Sequence, residues 1–395
     1  MHFLLDSLRA ALMGSRRYYG LLAVLFLVAA VGVRAYLTQL QHGLVVTGMT
    51  DQVSWGAYIA NFTYLVGLAA AAVMLVIPAY IFHRPHAKRL VMIAEGIAVA
   101  ACSMALMFVL VDLGRPDRML IMLSGLNLPR SLLAWDVIVI PGYFALNLVI
   151  PAYVLFHHYR GEVIHENAMF PWILLTIFWA IALHTVTAFI FAADIARPFW
   201  HSALLAPRFL ASAFCSGPAF LILVLVALRK WARLEVPNDV IHMLSLIVTI
   251  ALQVNLVMLV GDVFTELYAT AEHHRSAVYL FLGLGEHGEL VPWIRSAIAM
   301  QLLAVFTLMI RPLRRNAATL LPACALTVVG VWIEKGMGFV IPGFVPTPLG
   351  EIVEYAPSLI EIQICAGVWA IGLMIFLVFA KVAIAIEHGE LHARG

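Results

Sequence analysis

The chain has 395 residues, of which 63% are hydrophobic and 12% charged, with a formal net charge of +2 and a mean hydropathy of +0.97. That much apolar surface cannot be enclosed in one water-soluble core, so lipid is the solvent for most of the chain and a soluble globular protein is excluded. The small charge, spread along the chain and not gathered into a patch, excludes a nucleic-acid partner.

In chain order, the opening MHFLLDSLRAALMGSRRYYG interrupts its apolar residues with Asp6, Arg16 and Arg17 and shows no small-residue cleavage site. It predicts a short amphipathic lead into the first span, not a removable signal peptide. A span needs roughly 20 apolar residues, and ten stretches qualify: 18–40, 57–82, 90–113, 134–158, 168–193, 211–232, 240–264, 291–311, 317–336 and 357–382. Lipid satisfies no backbone hydrogen bonds, so each is expected to be a helix. The fold class is therefore an all-α integral membrane protein of ten transmembrane helices, in a single polytopic domain. Its long connections, 114–133, 194–210, 265–290 and 337–356, fall on one side of the membrane. A shift of 150 residues lays spans two to five over spans six to nine and maps Gly67 onto Gly217, Asp112 onto Asp262 and His184 onto Glu334. This pattern predicts a parallel repeat: one four-helix bundle over 57–193 and a second over 211–336, with 18–40 and 357–382 as flanking helices.

Cys102, Cys215, Cys324 and Cys365 lie far apart in apolar stretches with no CxxC or CxxCH among them. They offer no ligand set for an iron–sulfur cluster, a structural zinc or a covalent haem, and read as small hydrophobes in helix packing. No metal site is expected.

Polar residues collect at one depth. FVLVDLGRPDRML ends the third span with Asp112, followed three residues later by Arg115. If the helix continues to Pro116, the two share a face and form an interfacial ion pair that caps it; the other reading is that an intramembrane carboxylate marks a proton or ligand site. The second span places Asn61 and Tyr64 three apart near the same surface, and the fifth carries His184 inside the helix with Trp200 and His201 just beyond it. A carboxylate and an imidazole supply proton chemistry near neutral pH, while an amide and a phenol hold oxygens without titrating there. A quinone headgroup needs that combination, together with a lateral opening to lipid.

These residues resemble a known family, the polysulfide-reductase-type membrane subunits called NrfD/PsrC. DLGRP at 112–116 looks like the family's motif, and WGAYIANF at 55–62 looks like its first bundle helix. The ten spans and the His184 to His201 region are similar to the longer branch that includes the hydrogenase-2 membrane subunit and DsrP of the sulfite-reductase-associated complex, with 50–74 most similar to DsrP. The resemblance implies a subunit without haem or iron–sulfur cluster of its own, which takes menaquinone or ubiquinone as an exchangeable substrate. It also implies a periplasmic iron–sulfur (ferredoxin-like) partner, and in the DsrP case a multihaem cytochrome c, a membrane cytochrome b and a cytoplasmic iron–sulfur subunit. The quinone role carries over to Asn61 and Asp112, and the local chemistry adds His184 as a second proton-transfer group. Tyr64, Arg115, Trp200 and His201 complete the candidate binding set. The implied function is electron exchange between membrane quinol or quinone and the periplasmic partner. The alternatives are a proton-coupled transporter, for which Glu95, Glu334 and Glu361 speak, and a haem b membrane anchor, for which His184 is the single deep histidine.

Lys and Arg set the orientation. The side shared by both termini carries 15 of them and the other side 9, so the positive-inside rule puts both termini in the cytoplasm of a bacterial inner membrane. Reporter fusions at positions 160 and 235 should read as cytoplasmic and those at 125 and 275 as periplasmic; inversion of either pair would break the ten-span arrangement.

Overall fold

The computed structural model describes residues 2–162, 164–268 and 271–392. A short amphipathic helix α1 (His2–Leu12) leaves Leu4, Leu5, Leu8 and Leu12 exposed and is tied down where the Tyr159 hydroxyl donates to Asp6 at 2.7 Å. The remaining helices are α2 (Arg16–His42), α3 (Ala57–Ile81), α4 (Val91–Asp112), α5 (Leu132–Tyr159), α6 (Glu166–Ala192), α7 (Leu205–Trp231), α8 (Asn238–Tyr268), α9 (Ala271–Phe281), α10 (Val291–Met309), α11 (Ala317–Lys335) and α12 (Leu359–Glu387). All but α1 and α9 are long and apolar enough to cross a membrane, which gives the ten spans expected. The described residues form no β-strand beyond one isolated bridge, Leu284 with His287.

The helix starts follow local chemistry. Ser15 accepts from the Tyr18 amide, Ser131 from Ala134 and Asn316 from Ala318, so side chains satisfy amides that have no partner inside α2, α5 and α11. Helix α12 opens with a full capping box, Ser358 and Glu361 each accepting the other's amide. Prolines 141, 151, 171, 218 and 322 lie inside helices, which neighbouring helices in lipid tolerate. Where α3 reaches Pro78 it is no longer α-helical: it passes through a turn at Ala70 to Ala72 and becomes a π-helix over Ile77–Ile81. Helix α7 begins at Leu205, not at the expected 211, because the charge of Arg208 is neutralised inside the protein and does not stop the helix.

Every residue from Ala57 to Ala69 is buried, and a helix buried on all sides lies at the centre of its fold. Helix α2 is the opposite case, with only 17% of its apolar window covered. Contacts run in two closed circuits, α3 to α4 to α5 to α6 and back to α3, and α7 to α8 to α10 to α11 and back to α7. They meet where α3 and α6 pack on α7, and the α2–α12 pair packs on α4. Two small-residue crossings permit the closest approaches: Gly67 lies against Ala213 and Gly217 against Ala71 between α3 and α7, and Gly32 against Gly367 between α2 and α12.

A Cβ at Gly32 would stand 2.6 Å from the Gly367 Cα, whereas one at Gly20 meets nothing within 4 Å. Gly32→Leu should therefore force α2 off α12 and cost about 1–3 kcal/mol, the usual range for overpacking. Thermal melting of the solubilised protein checks this, with Gly20→Leu expected to melt as the parent does.

Candidate functional site

The geometry around Asp112 differs from the expected ion pair. Helix α4 ends at Asp112, Leu113 is extended, and Arg115 has φ −134° and ψ 73°, because the residue before a proline is held out of the α region. Arg115 is thereby carried into solvent, where its Nε and Nη2 each donate to Asp117 at 3.0 Å. That fork holds the Asp117 carboxyl below its ordinary range. The Asp112–Arg115 pair does not form, and Arg115 lies outside the buried polar cluster. Asp112 turns inward, with Oδ1 sealed from solvent and without a hydrogen-bond partner, and faces the Glu361 carboxylate of α12.

Glu361 is fully buried and fully engaged. Its Oε1 accepts from the Tyr355 hydroxyl at 2.6 Å, and its Oε2 accepts from the amides of Gly48 at 2.6 Å and Ser358 at 2.9 Å. Tyr355 also accepts from the Ala57 amide at 2.8 Å, which fixes the start of α3; burial first, and the Glu361 charge second, push its phenol above the ordinary value. Beside them the Tyr58 hydroxyl donates to Gln39 Oε1 at 2.6 Å, and Gln39 Nε2 donates to the Val111 carbonyl at 2.7 Å. Gln39, Tyr58 and Glu361 thus form a hydrogen-bonded frame beside Asp112.

Asn61 adjoins this frame, one turn below Tyr58. Its Oδ1 accepts from both Trp332 Nε1 at 3.1 Å and Trp369 Nε1 at 2.9 Å, and its Nδ2 donates to the Ala57 carbonyl at 2.8 Å and lies 3.7 Å from the Cys365 sulfur. With both lone pairs taken, Asn61 locks α3 to α11 and α12. Tyr64 packs toward Trp369 at 6.4 Å between centroids, and its buried hydroxyl has no partner. His184 is fully buried; Nδ1 donates to the Ala180 carbonyl at 2.7 Å, and Nε2 finds no partner in hydrogen-bond geometry. Its surroundings are the Gly67 backbone and Lys335, not Asp112.

Trp200 and His201 stand apart from both places. Trp200 is buried, donates to the Phe339 carbonyl at 2.9 Å and stacks on Trp55 at 5.7 Å, walled by Phe191 and Phe344. His201 is exposed and bonds the Ala192 carbonyl at 2.8 Å, which closes the end of α6. The structure therefore sets Asn61 one turn of α3 from Tyr58, which adjoins Asp112, puts Tyr64 and His184 deeper along α3, and leaves Trp200, His201 and Arg115 in the loops.

A second buried cluster was not singled out as a site from the sequence. Arg208 donates to Asp262 at 2.8 Å and to Glu334, and Ser202 donates to Asp262 at 2.8 Å. The cluster borders an enclosed cavity of about 20 Å³. The one sequence signal for it was the 150-residue shift, which maps Asp112 onto Asp262 and His184 onto Glu334.

Comparison with known proteins converges on the same architecture. The family model "Polysulphide reductase, NrfD" matches residues 45–344. A putative dimethyl sulfoxide reductase membrane subunit of Halobacterium salinarum is 28% identical, over 91% of this chain and 89% of its own. A selenate reductase subunit of Mesobacillus selenatarsenatis is 23% identical over 93% and 95%. The Hdr-like menaquinol oxidoreductase integral membrane subunit of Archaeoglobus fulgidus is 27% identical over 59% and 56%. With three quarters of its length matched by the family model and ten membrane-crossing helices in place, the chain belongs to the NrfD polysulphide reductase family.

Proposed function

We propose that this chain is the quinone-interacting membrane subunit of a multisubunit oxidoreductase, exchanging electrons between membrane quinol or quinone and a periplasmic iron–sulfur partner. The observation that carries the reading is Asp112 Oδ1, buried and unpartnered beside a Glu361 carboxyl whose two oxygens already accept three hydrogen bonds. Buried polar atoms without partners are rare and call for an explanation, and a ligand hydroxyl supplies one. The buried Tyr64 hydroxyl is open in the same way. Among the relatives, the one named a menaquinol oxidoreductase subunit supports menaquinol as the substrate.

On this reading Asp112 takes up the two protons of each quinol in turn, releasing the first before it accepts the second, and returns two in the same way when quinone is reduced. Glu361, whose carboxyl accepts from three donors, is tied into the frame and leaves Asp112 as the carboxyl free to exchange a proton. The two electrons released per quinol leave to the iron–sulfur partner on the face where α4 ends. A multihaem cytochrome c, a membrane cytochrome b, a cytoplasmic iron–sulfur subunit, a role in sulfur metabolism and a bacterial inner-membrane location with cytoplasmic termini belong to the same proposal. So does the division into two four-helix bundles, which the two contact circuits support.

Asp112→Asn keeps the volume and removes the titratable site. Quinone-linked turnover of the assembled complex should fall by roughly 10²–10⁴, the range for a lost acid or base, while the amount of complex stays the same. Arg115→Ala, which removes only a solvent-exposed pair that water and salt screen, should leave both quantities near the parent values. Near-normal turnover in an assembled Asp112→Asn complex would defeat the assignment.

A further inference from the structure

At the end of α4 opposite Asp112, on the face where α3, α5, α7 and α12 terminate, lies a cavity of about 1100 Å³. Pockets for small molecules are roughly 300–1,000 Å³, so this one has room for a sizeable ligand. Its floor is apolar and buried, with Leu90, Met92, Val154 and Leu234 among its members. Its rim carries both signs of charge, Arg89 and Arg233 with Glu235 and Glu387, all of them exposed. Two further charged residues of the rim are engaged already: Glu162 by His157 at 2.6 Å and Arg160 at 2.9 Å, and Lys88 over the Tyr80 ring at 5.6 Å.

Three of the helices close at this cavity through a left-handed residue. After α3, His83 has φ 48°; after α5, Gly161 has φ 69°; after α7, Arg233 has φ 56°. In each case the next amide turns back to the helix it leaves, Arg84 to the Pro78 carbonyl at 2.9 Å, Glu162 to His157 at 2.9 Å and Leu234 to Leu228 at 3.4 Å. Glycine is the ordinary residue there because it has no Cβ to strain, and Gly161 closes its helix without a side chain. His83 and Arg233 are the only non-glycine residues of positive φ among those described, and both line this cavity. Two polar side chains kept at one cavity against the backbone's preference point to a use for them.

The segments are also fixed against each other. His86 Nδ1 and Asp239 are hydrogen-bonded at 2.8 Å, which joins the turn before Arg89 to the helix that follows Arg233. Among the described residues neither arginine is within ion-pairing distance of a carboxylate, although Arg89 is close enough to Glu387 to act on its charge. Opposite charges held apart above an apolar floor, at the level where helices end, complement a zwitterion carried on a hydrocarbon stem.

We propose that this cavity binds the headgroup of a zwitterionic aminophospholipid, with Arg89 and Arg233 on the phosphodiester, Glu235 and Glu387 on the ammonium, and the first acyl carbons on the apolar floor. Guanidinium groups match a phosphate with paired donors. An anionic lipid or free phosphate would satisfy the arginines and leave both carboxylates facing further negative charge. The site lies roughly 30 Å from Asp112 along α4 and does not depend on the quinone reading.

A ligand that binds only the folded state raises its melting temperature, so the test titrates the solubilised, delipidated full chain with short-chain phosphatidylethanolamine, short-chain phosphatidylglycerol and inorganic phosphate. Phosphatidylethanolamine should raise the melting temperature saturably, and the other two should need at least about 10-fold more, the equivalent of one unmatched charge. Arg233→Gly, which suits the left-handed position, should keep the lipid-free melting temperature and bind phosphatidylethanolamine about 10- to 100-fold more weakly, as for a lost hydrogen bond to a charged group. Should Arg233→Gly melt lower or fail to fold, Arg89→Gln is read in its place with the same loss expected. Parent-like affinity in the variant that is read overturns the proposal, and so does an equal response to phosphatidylglycerol or phosphate. No response to any of the three overturns it as well and leaves the cavity to a protein partner.

Discussion

The Glu361 carboxylate is the junction on which the candidate site depends. Through three hydrogen bonds it joins the segment before α3, the loop carrying Tyr355 and the first turn of α12, and through Tyr355 it reaches the first amide of α3. Hydrogen bonds to an ionised acceptor are about twice as strong as neutral ones, and in lipid no water can replace a lost partner. The frame around Asp112 is therefore held by one side chain whose two oxygens both accept hydrogen bonds. Against that engaged carboxyl, the unpartnered Oδ1 of Asp112 is chemically informative.

Helix α3 serves as a wall shared by several polar neighbourhoods. Tyr58 and Asn61 meet α2, α11 and α12, and Gly67 meets α7 and the Lys335 side chain. Such a helix can carry no lipid-facing surface, and it is buried throughout Ala57 to Ala69. Its small residues follow from the same crowding, since backbones pass closely only where side chains are absent or short.

The spans were legible in the sequence to within a few residues because hydrocarbon thickness imposes length and apolarity together. Helix α7 was the exception, because a buried Arg208 reads from the sequence as a helix boundary until Asp262 and Glu334 are seen beside it. The polar character of the Asp112 end of α4 was readable, but the Asp112–Arg115 pair failed for a local reason, the conformation that Pro116 imposes on Arg115. Glu361 carried a readable capping box, yet its partnership with Gly48 lies 313 residues away in the chain, beyond any local pattern. Lys335 was illegible because a lysine at a helix end looks interfacial, and only the direction of its side chain shows otherwise.

The pairing of α2 with α12 sets an order of events during synthesis. Helix α2 enters the bilayer long before α12 is made, and the Glu361 junction arrives with α12. Until then α2 must persist as an independent helix in lipid, stabilised by its own backbone hydrogen bonds and not by packing. The enclosure around Asp112 is thus completed only when α12 inserts, so a chain that stops short of α12 carries Asp112 without the frame that encloses it.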